Sequence, residues 1–405
     1  MGRSFYHAPR LAFVRLWLSG LALGVLIVWT LLVPRALAQE STFVPKAEHA
    51  ILLDADSNAV MFQHAADDLT PPASMSKLMT LAVVFKALRQ GTLQLTDEIT
   101  MSENAWRTGG APSGTSAMFV PINDKVTVDE LLQGIIVQSG NDACIAIAEA
   151  IAGTEEGFAQ IMTNEARRIG LKKSTFKNST GLPQADHMMT VRELAELARY
   201  LIKEYPDRFP MFAQREFKYR KHRFYNRNPL LFLDIGADGM KTGYIKEAGY
   251  GLVGTAVQDG KRLIVVVNGL KTANDRKDEA RRLLEWGFRS FAPFKLFKDE
   301  EVVGSARVWG GDRFYVPLVG KQGVTVVLPR YPANQRLNAE IIYKGPLKPP
   351  IKRGDEVAKL RVTSSTSAMS EVPLYAAEDV AKAGVLRQGF DSLIHMTVNW
   401  IKVKL

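Results

Sequence analysis

"PPASMSKLMTLAVVFKAL", residues 71–88, places an amine where almost everything around it is apolar. Two prolines suit the entry to a helix. From Leu78 to Phe85 only Thr80 is polar. The run therefore reads as a helix that extends to Gln90 and stops at a left-handed cap on Gly91. It should lie covered on nearly all sides. Lys77 stands at its mouth, one turn after Ser74, so the two side chains share a face. Ser76 adjoins Lys77 and points about 100° away around the axis. A serine hydroxyl is a poor nucleophile until a base takes its proton, and a lysine amine is that base only when neutral. Burial against Met75, Leu78 and Leu81 penalises the ammonium form and lowers its pKa. The helix start adds unpaired backbone N–H groups and a positive dipole end, both useful beside a developing oxyanion.

An S-x-x-K spacing alone says little. It recurs at Ser174–Lys177, in "KKSTFKNST", which reads as a solvated polar turn. The bland reading of Ser74 is a helix N-cap beside a snorkelling lysine. Two further motifs weigh against it. Ser139-Gly140-Asn141 falls at a helix break 65 residues on, and Lys241-Thr242-Gly243 falls on an expected strand 102 residues beyond that. S-x-x-K goes with S-D-N and K-T-G in penicillin-binding proteins and class A β-lactamases, and here Ser74, Ser139 and Lys241 open three such elements in that order.

The chain has 405 residues, 46% hydrophobic and 23% charged, enough for two or three domains with sizeable cores. Arg3, Arg10 and Arg15 precede an apolar run from Leu16 to Val33, followed by Ala36-Leu37-Ala38. Residues 1–38 thus read as a secretory signal peptide, with an uncleaved anchor as the alternative. The formal charge of +10 includes four arginines of that leader, at 3, 10, 15 and 35, which leaves +6. Such a bias suits an anionic surface and gives no footprint for nucleic acid. Cys144 is the single cysteine, so no internal disulfide forms, and it reads as a small buried hydrophobe.

Residues 50–62 read as two strands around an Asp-Ser-Asn turn. Helices are expected at 127–138, 143–152, 154–169 and 190–203, the first opened by a Thr127–Glu130 capping box. "GMKTGYI" (239–245), "YGLVGTAV" (250–257) and "RLIVVVNGL" (262–270) read as strands, with an Asp259-Gly260 turn, before an amphipathic helix at 275–289. This order predicts an antiparallel sheet with helices packed on it and a helical lobe inserted between. After Phe291 short apolar runs alternate with turn residues, as in a small all-β domain. From 383 to 405 the spacing is helical. Leu386, Phe390, Leu393, Ile394, Val398, Ile401 and Leu405 share one face, and lysines at 402 and 404 lie near Trp400. That suits a helix lying in a membrane interface. The alternative is a helix packed on the β domain. The basic run Arg215–Arg227 offers contact with anionic wall polymers, or a solvated strand and loop.

"PASMSKLMT", "SGNDA", "GLP" (181–183) and "DGMKTGY" (238–244) give the chain a resemblance to the D-alanyl-D-alanine carboxypeptidases among the low-molecular-mass penicillin-binding proteins. It covers nearly the whole mature chain. The middle motif is S-G-N rather than S-D-N, as these carboxypeptidases usually show. Tyr244-Ile245 follows K-T-G where many relatives have His-Thr. The resemblance implies an α+β chain: a transpeptidase/β-lactamase-like domain over 39–291, a β-rich domain over 292–380 and an amphipathic anchor helix over 383–405. It implies a serine peptidase without cofactor or metal. Ser74 attacks the carbonyl between two D-alanines of a peptidoglycan stem peptide, and Lys77 takes its proton. Ser139 relays that proton to the leaving amine, and Asn141 bridges the substrate amide and the lysine. Lys241, Thr242 and Gly243 line the strand that receives the terminal carboxylate. Backbone N–H groups of Ser74 and Tyr244 form the oxyanion hole. β-Lactam antibiotics would acylate Ser74. The enzyme would be periplasmic, held at the outer face of the cytoplasmic membrane.

Other classes fit less well. A class A β-lactamase would carry a glutamate in an E-x-x-x-N loop about thirty residues past the middle motif. Glu155, Glu156 and Glu165 are followed four residues on by Ala159, Gln160 and Ile169. A wall-binding scaffold has no need of Ser74, Lys77, Ser139, Asn141 and Lys241 together. The six histidines show no H-x-x-x-H spacing for a metallohydrolase.

Overall fold

The computed structural model describes residues 43–330, 336–364 and 368–384. The expected leader and the expected terminal helix beyond residue 384 lie outside the described residues. Among the described residues no helix is long and apolar enough to cross a membrane.

The chain opens with β1 (His49–Asp54) and β2 (Val60–His64). They are joined by a turn in which the Asp54 carboxylate accepts the Ser57 N–H at 2.9 Å and the Ser57 hydroxyl at 2.6 Å. After Pro72 a 3-10 turn, Ala73–Ser76, leads into α1 (Lys77–Arg89), and Gly91 follows with φ +71°. A short pair, β3 (Glu98–Thr100) and β4 (Lys125–Thr127), precedes four helices: α2 (Val128–Gln133), α3 (Asn141–Ala152), α4 (Glu155–Arg168) and α5 (Val191–Glu204). The hairpin β5 (Glu216–Tyr219) and β6 (His222–Tyr225) comes next. Three long strands, β7 (Ala237–Ile245), β8 (Gly249–Gln258) and β9 (Lys261–Leu270), and α6 (Ala273–Ser290) complete this half.

Helix starts are fixed by side chains. Thr127, Thr154, Thr190 and Thr272 each accept the N–H of the third residue on, satisfying a donor that the helix itself leaves open. The expected 127–138 helix divides: it is α-helical to Gln133, widens over Gly134–Gln138, and ends on Ser139 at φ +64°. The next helix starts at Asn141, two residues before the expected Ala143.

β2, β1, β9, β8 and β7 lie side by side in that order, all antiparallel. The apolar run of β9 is buried on both faces, and its two-residue period sorts it between two cores. Leu263, Val265 and Val267 pack with Leu283 and Leu284 of α6. Ile264 and Val266 face the helical lobe, where Leu78–Phe85 of α1 are packed on every side. Burial of each such aliphatic side chain contributes roughly 1.5–3 kcal/mol. Among Pro72–Phe85 every residue is buried except Ser74.

The all-β segment comprises β10 (Phe291–Phe297), β11 (Val302–Arg307), β12 (Tyr315–Val319), β13 (Val324–Pro329), β14 (Leu337–Ile342), β15 (Glu356–Ser364) and β16 (Met369–Ala376). It holds its own core, including Val316, Leu318, Val326, Leu360, Val362 and Leu374. It is not hung on a free linker. α6 passes directly into β10, Phe291 and Val327 enter the core beneath α6, and β16 bridges β2 at Met369–Val60.

Candidate active site

The first turn of α1 meets three other segments at one point. Lys77 is completely buried, yet its nitrogen is fully hydrogen-bonded. Nζ lies 3.0 Å from Ser74 Oγ, 2.7 Å from Asn141 Oδ1 and 2.5 Å from the Thr180 carbonyl. Two of these neighbours can only accept. The carboxamide of Asn141 is oriented by its own Nδ2, which donates to Thr115 Oγ1 at 2.9 Å. A neutral amine has two N–H bonds and one lone pair. Its N–H bonds serve Asn141 and Thr180, so the lone pair faces the one neighbour able to donate, the Ser74 hydroxyl. Burial drives the Lys77 pKa down to about 8, and the Arg227 cation pushes it the same way. Ser76 is absorbed elsewhere, donating to the Ala73 carbonyl at 3.0 Å.

The close approach of the walls needs two glycines. Gly181 sits at φ +79°, and a Cβ there would lie 2.0 Å from the Ala73 carbonyl oxygen. A Cβ at Gly243 would meet the Pro72 carbonyl at 3.0 Å and Met75 Cγ at 3.1 Å, so its absence lets β7 lie against the serine turn. The Asn178 side chain shapes the Gly181 loop: Oδ1 accepts the Gly181 N–H at 2.8 Å, and Nδ2 donates to the Leu182 carbonyl at 3.0 Å.

Ser139 ends its helix in left-handed backbone, 2% exposed, and its Oγ has no hydrogen-bond partner among the described residues. A buried hydroxyl without a partner loses hydration without return. It is free to take a proton from one group and pass it to another. Lys241 on β7 is 2% exposed, and burial, then Lys77 and Arg227, hold its amine well below the ordinary lysine range. An arriving carboxylate would reverse that balance. Thr242 is buried beside it, whereas the Tyr244 ring is 53% exposed and lies 4.2 Å from that of Tyr250. The site thus joins Ser74, Lys77 and Asn141 by direct hydrogen bonds and sets Lys241 within the field of Lys77. The Tyr244 side chain stands apart.

Ser174 differs from expectation. It is fully buried rather than solvated, and its hydroxyl donates to Glu193 Oε2 at 2.5 Å. Glu193, the third residue of α5, closes the 173–174 backbone as a cap, so this S-x-x-K match is structural.

Sequence reasoning missed several residues that shape the site. Asp142 is fully buried and accepts the N–H groups of Met118 and Phe119 at 2.8 and 2.9 Å, which fixes that backbone against the start of α3. It adjoins the S-G-N motif, so its position was the available signal. Arg227 donates to Ser116 Oγ at 2.7 Å, and the Ser116 carbonyl accepts the Asn141 N–H at 2.7 Å. Thr180 supplies only a backbone oxygen, which no side-chain pattern announces. His187 is buried with Nδ1 accepting the Lys177 N–H at 3.3 Å, and burial lowers its pKa to about 4, so it stays neutral. A cavity of about 340 Å³ opens against Pro72, Ala73, Gly181, Leu182, His187 and Ile245.

The family model described as D-alanyl-D-alanine carboxypeptidase matches residues 37–272, and that of the penicillin-binding protein 5 C-terminal domain matches residues 291–382. The chain is 36% identical to D-alanyl-D-alanine carboxypeptidase DacC of Escherichia coli over 95% of its length and 97% of that protein. It is 31% identical to DacF of Bacillus subtilis, over 96% and 99%. Penicillin binding protein 5 from Haemophilus influenzae has a similar structure, with TM-score 0.70 and 32% identity over 84% of this chain and 99% of that one. This chain belongs to the D-alanyl-D-alanine carboxypeptidases, as a serine-type hydrolase of the cell wall.

Proposed function

We propose that Ser74 is the nucleophile of this carboxypeptidase and neutral Lys77 its base. The observation that carries the reading is the position of Lys77 Nζ, buried and 3.0 Å from Ser74 Oγ, from which the direction of a neutral amine's lone pair follows. With the N–H bonds taken by Asn141 and Thr180, that lone pair is directed at the Ser74 hydroxyl. The Ser74 oxygen bonds to the carbonyl carbon between two D-alanines as its proton moves to Lys77. Backbone N–H groups of Ser74 and Tyr244 receive the oxyanion, a contribution of about 3 kcal/mol per donor. The Lys77 proton then passes through the Ser139 hydroxyl to the departing amine of D-alanine as the C–N bond breaks. Asn141 holds the lysine and the substrate amide. Lys241 and Thr242 bind the terminal carboxylate, and Gly243 leaves room for it along β7. Water next gives a proton to Lys77 as its oxygen bonds to the acyl carbon; the bond from that carbon to Ser74 Oγ then breaks, and Lys77 returns the proton to Ser74 Oγ. The cavity beside Ala73 takes the peptide on the acyl side.

A β-lactam presents an amide and a carboxylate at similar positions, so it acylates Ser74. Penicillin-binding protein D2 of Listeria monocytogenes, 27% identical with TM-score 0.55, is described with ampicillin bound. The chain divides functionally into the peptidase unit of 39–291 and the β-rich unit of 292–380. Residues 1–38 direct export to the periplasm, and residues 383–405 hold the enzyme on the outer face of the cytoplasmic membrane. Mass spectrometry of the penicillin-treated protein tests the chemistry. One penicilloyl group on the peptide containing Ser74, absent from a folded Ser74→Ala variant, is expected. An adduct on another residue would reject this assignment.

A further inference from the structure

The β5–β6 hairpin is built in a way that the peptidase chemistry does not use. One face is apolar: Phe217, Tyr219 and Phe224 are buried, and the Phe119 ring packs against His222 with centroids 5.2 Å apart, tilted by 35°. The other face is cationic. Lys218 lies directly across from Arg223, and Lys221 and Arg220 form the turn. Like charges placed opposite each other destabilise a strand pair. Little offsets them. Glu216 reaches Arg223 only at 3.9 Å, with both exposed, and Asp124 pairs with Arg220. Among the described residues no acidic side chain pairs with Lys218 or Lys221. Tyr225 is on the same face, 60% exposed.

This face is tied to the cleft. Gln214, at the hairpin's entry, donates to Gln133 Oε1 at 2.8 Å, and Asn226, at its exit, donates to the Gln214 carbonyl at 2.8 Å. The next residue, Arg227, reaches Ser116, whose carbonyl holds the Asn141 N–H. The residue that follows the hairpin is therefore two hydrogen bonds from Asn141.

We infer that Lys218, Lys221 and Arg223 form a docking strip for the polymeric wall itself, holding carboxylates of neighbouring stem peptides while one stem occupies the cleft. The inference rests on the assignment of the cleft to D-alanyl-D-alanine ends. Each such end is a carboxylate, so the polymer is a repeated anion, and a second weak contact on the same polymer raises the effective concentration of the first. The strip has no part in bond making. It acts on capture of large substrate and not on turnover of small substrate.

The test compares the full chain with a Lys218→Glu/Lys221→Glu/Arg223→Glu variant on two substrates. One is pentapeptide-rich peptidoglycan, and the other is a short acyl-D-Ala-D-Ala peptide. Penicillin labelling confirms a folded cleft. Should the triple reversal fail to fold, the corresponding triple glutamine variant replaces it, with a smaller expected effect. At low ionic strength kcat/KM on peptidoglycan should fall about tenfold or more. The loss should vanish near 1 M salt, where the screening length is about 3 Å. The short peptide should be cleaved equally by both proteins. Equal rates on peptidoglycan at low salt would overturn the docking strip and leave the cleft assignment intact. Failure of the wild type on the short peptide would instead strike the cleft assignment. Binding of the wild type, but not the variant, to phosphatidylglycerol vesicles, with wall trimming unchanged, would reassign the strip to a membrane surface and overturn the inference.

Discussion

Asn141 Oδ1 stands 2.7 Å from Lys77 Nζ, across 64 residues of sequence, and so determines which way the amine's free electron pair can point. The S-G-N motif places the asparagine at the first position of α3, where the αL turn at Ser139 aims it back at α1.

The buried amine sets a pH profile. With Lys77 held at about 8, it carries a proton below that value and cannot act as a base. The kcat/KM for acylation should therefore rise with pH, losing about tenfold per unit on the acid side, and level off above pH 9. Arg227 favours the neutral amine by repulsion. Arg227→Gln should move the acid limb to higher pH. A stopped-flow titration with a chromogenic β-lactam reads both, and an unmoved limb would contradict the electrostatic role of Arg227.

Gly181→Ala should damage both fold and rate. The left-handed backbone costs about 1–3 kcal/mol for a residue with a Cβ, and here that carbon would strike the Ala73 carbonyl. The loop also carries the Thr180 oxygen that holds Lys77. Gly91→Ala is the control, since it has a similar φ and nothing within 4 Å. Thermal melting and penicillin acylation should both decline for position 181, and melting alone should decline slightly for position 91.

Asp142→Asn should lower Tm while leaving the contacts of Lys77 with Ser74 and Asn141 in place. The carboxylate accepts N–H groups from Met118, Phe119 and Ala143. An amide keeps one acceptor oxygen and turns a donor toward an N–H, a change worth about 1–3 kcal/mol. Calorimetry checks the stability, and an unchanged Tm would show that the 118–120 wall holds without it.

Much of this was legible in order and spacing. The α1 run, the αL glycine after it, the three long strands and the capping box all follow from local pattern, and local pattern is what sequence displays. Ser74, Lys77, Ser139, Asn141 and Lys241 could be named because their types are matched to proton transfer and charge. Thr180, Ser116 and Arg227 could not. Their contributions are a carbonyl oxygen, a hydroxyl shared with an arginine, and a field, and each depends on how distant segments meet. Ser174 was misread because a polar turn gives no sign that a glutamate 19 residues on will bury it. The continuity between β2 and β16 was hidden for the same reason, since one bridge between distant strands leaves no periodic trace.

The central claim is that an uncharged Lys77 activates Ser74. Lys77→Arg keeps a cation of similar reach but cannot give up its proton. The decisive measurement is the second-order rate of acylation of this variant by penicillin at pH 8.5, with folding verified by calorimetry. A fall of about 10³-fold or more from wild type is expected. Acylation within a factor of a few of wild type would contradict the account.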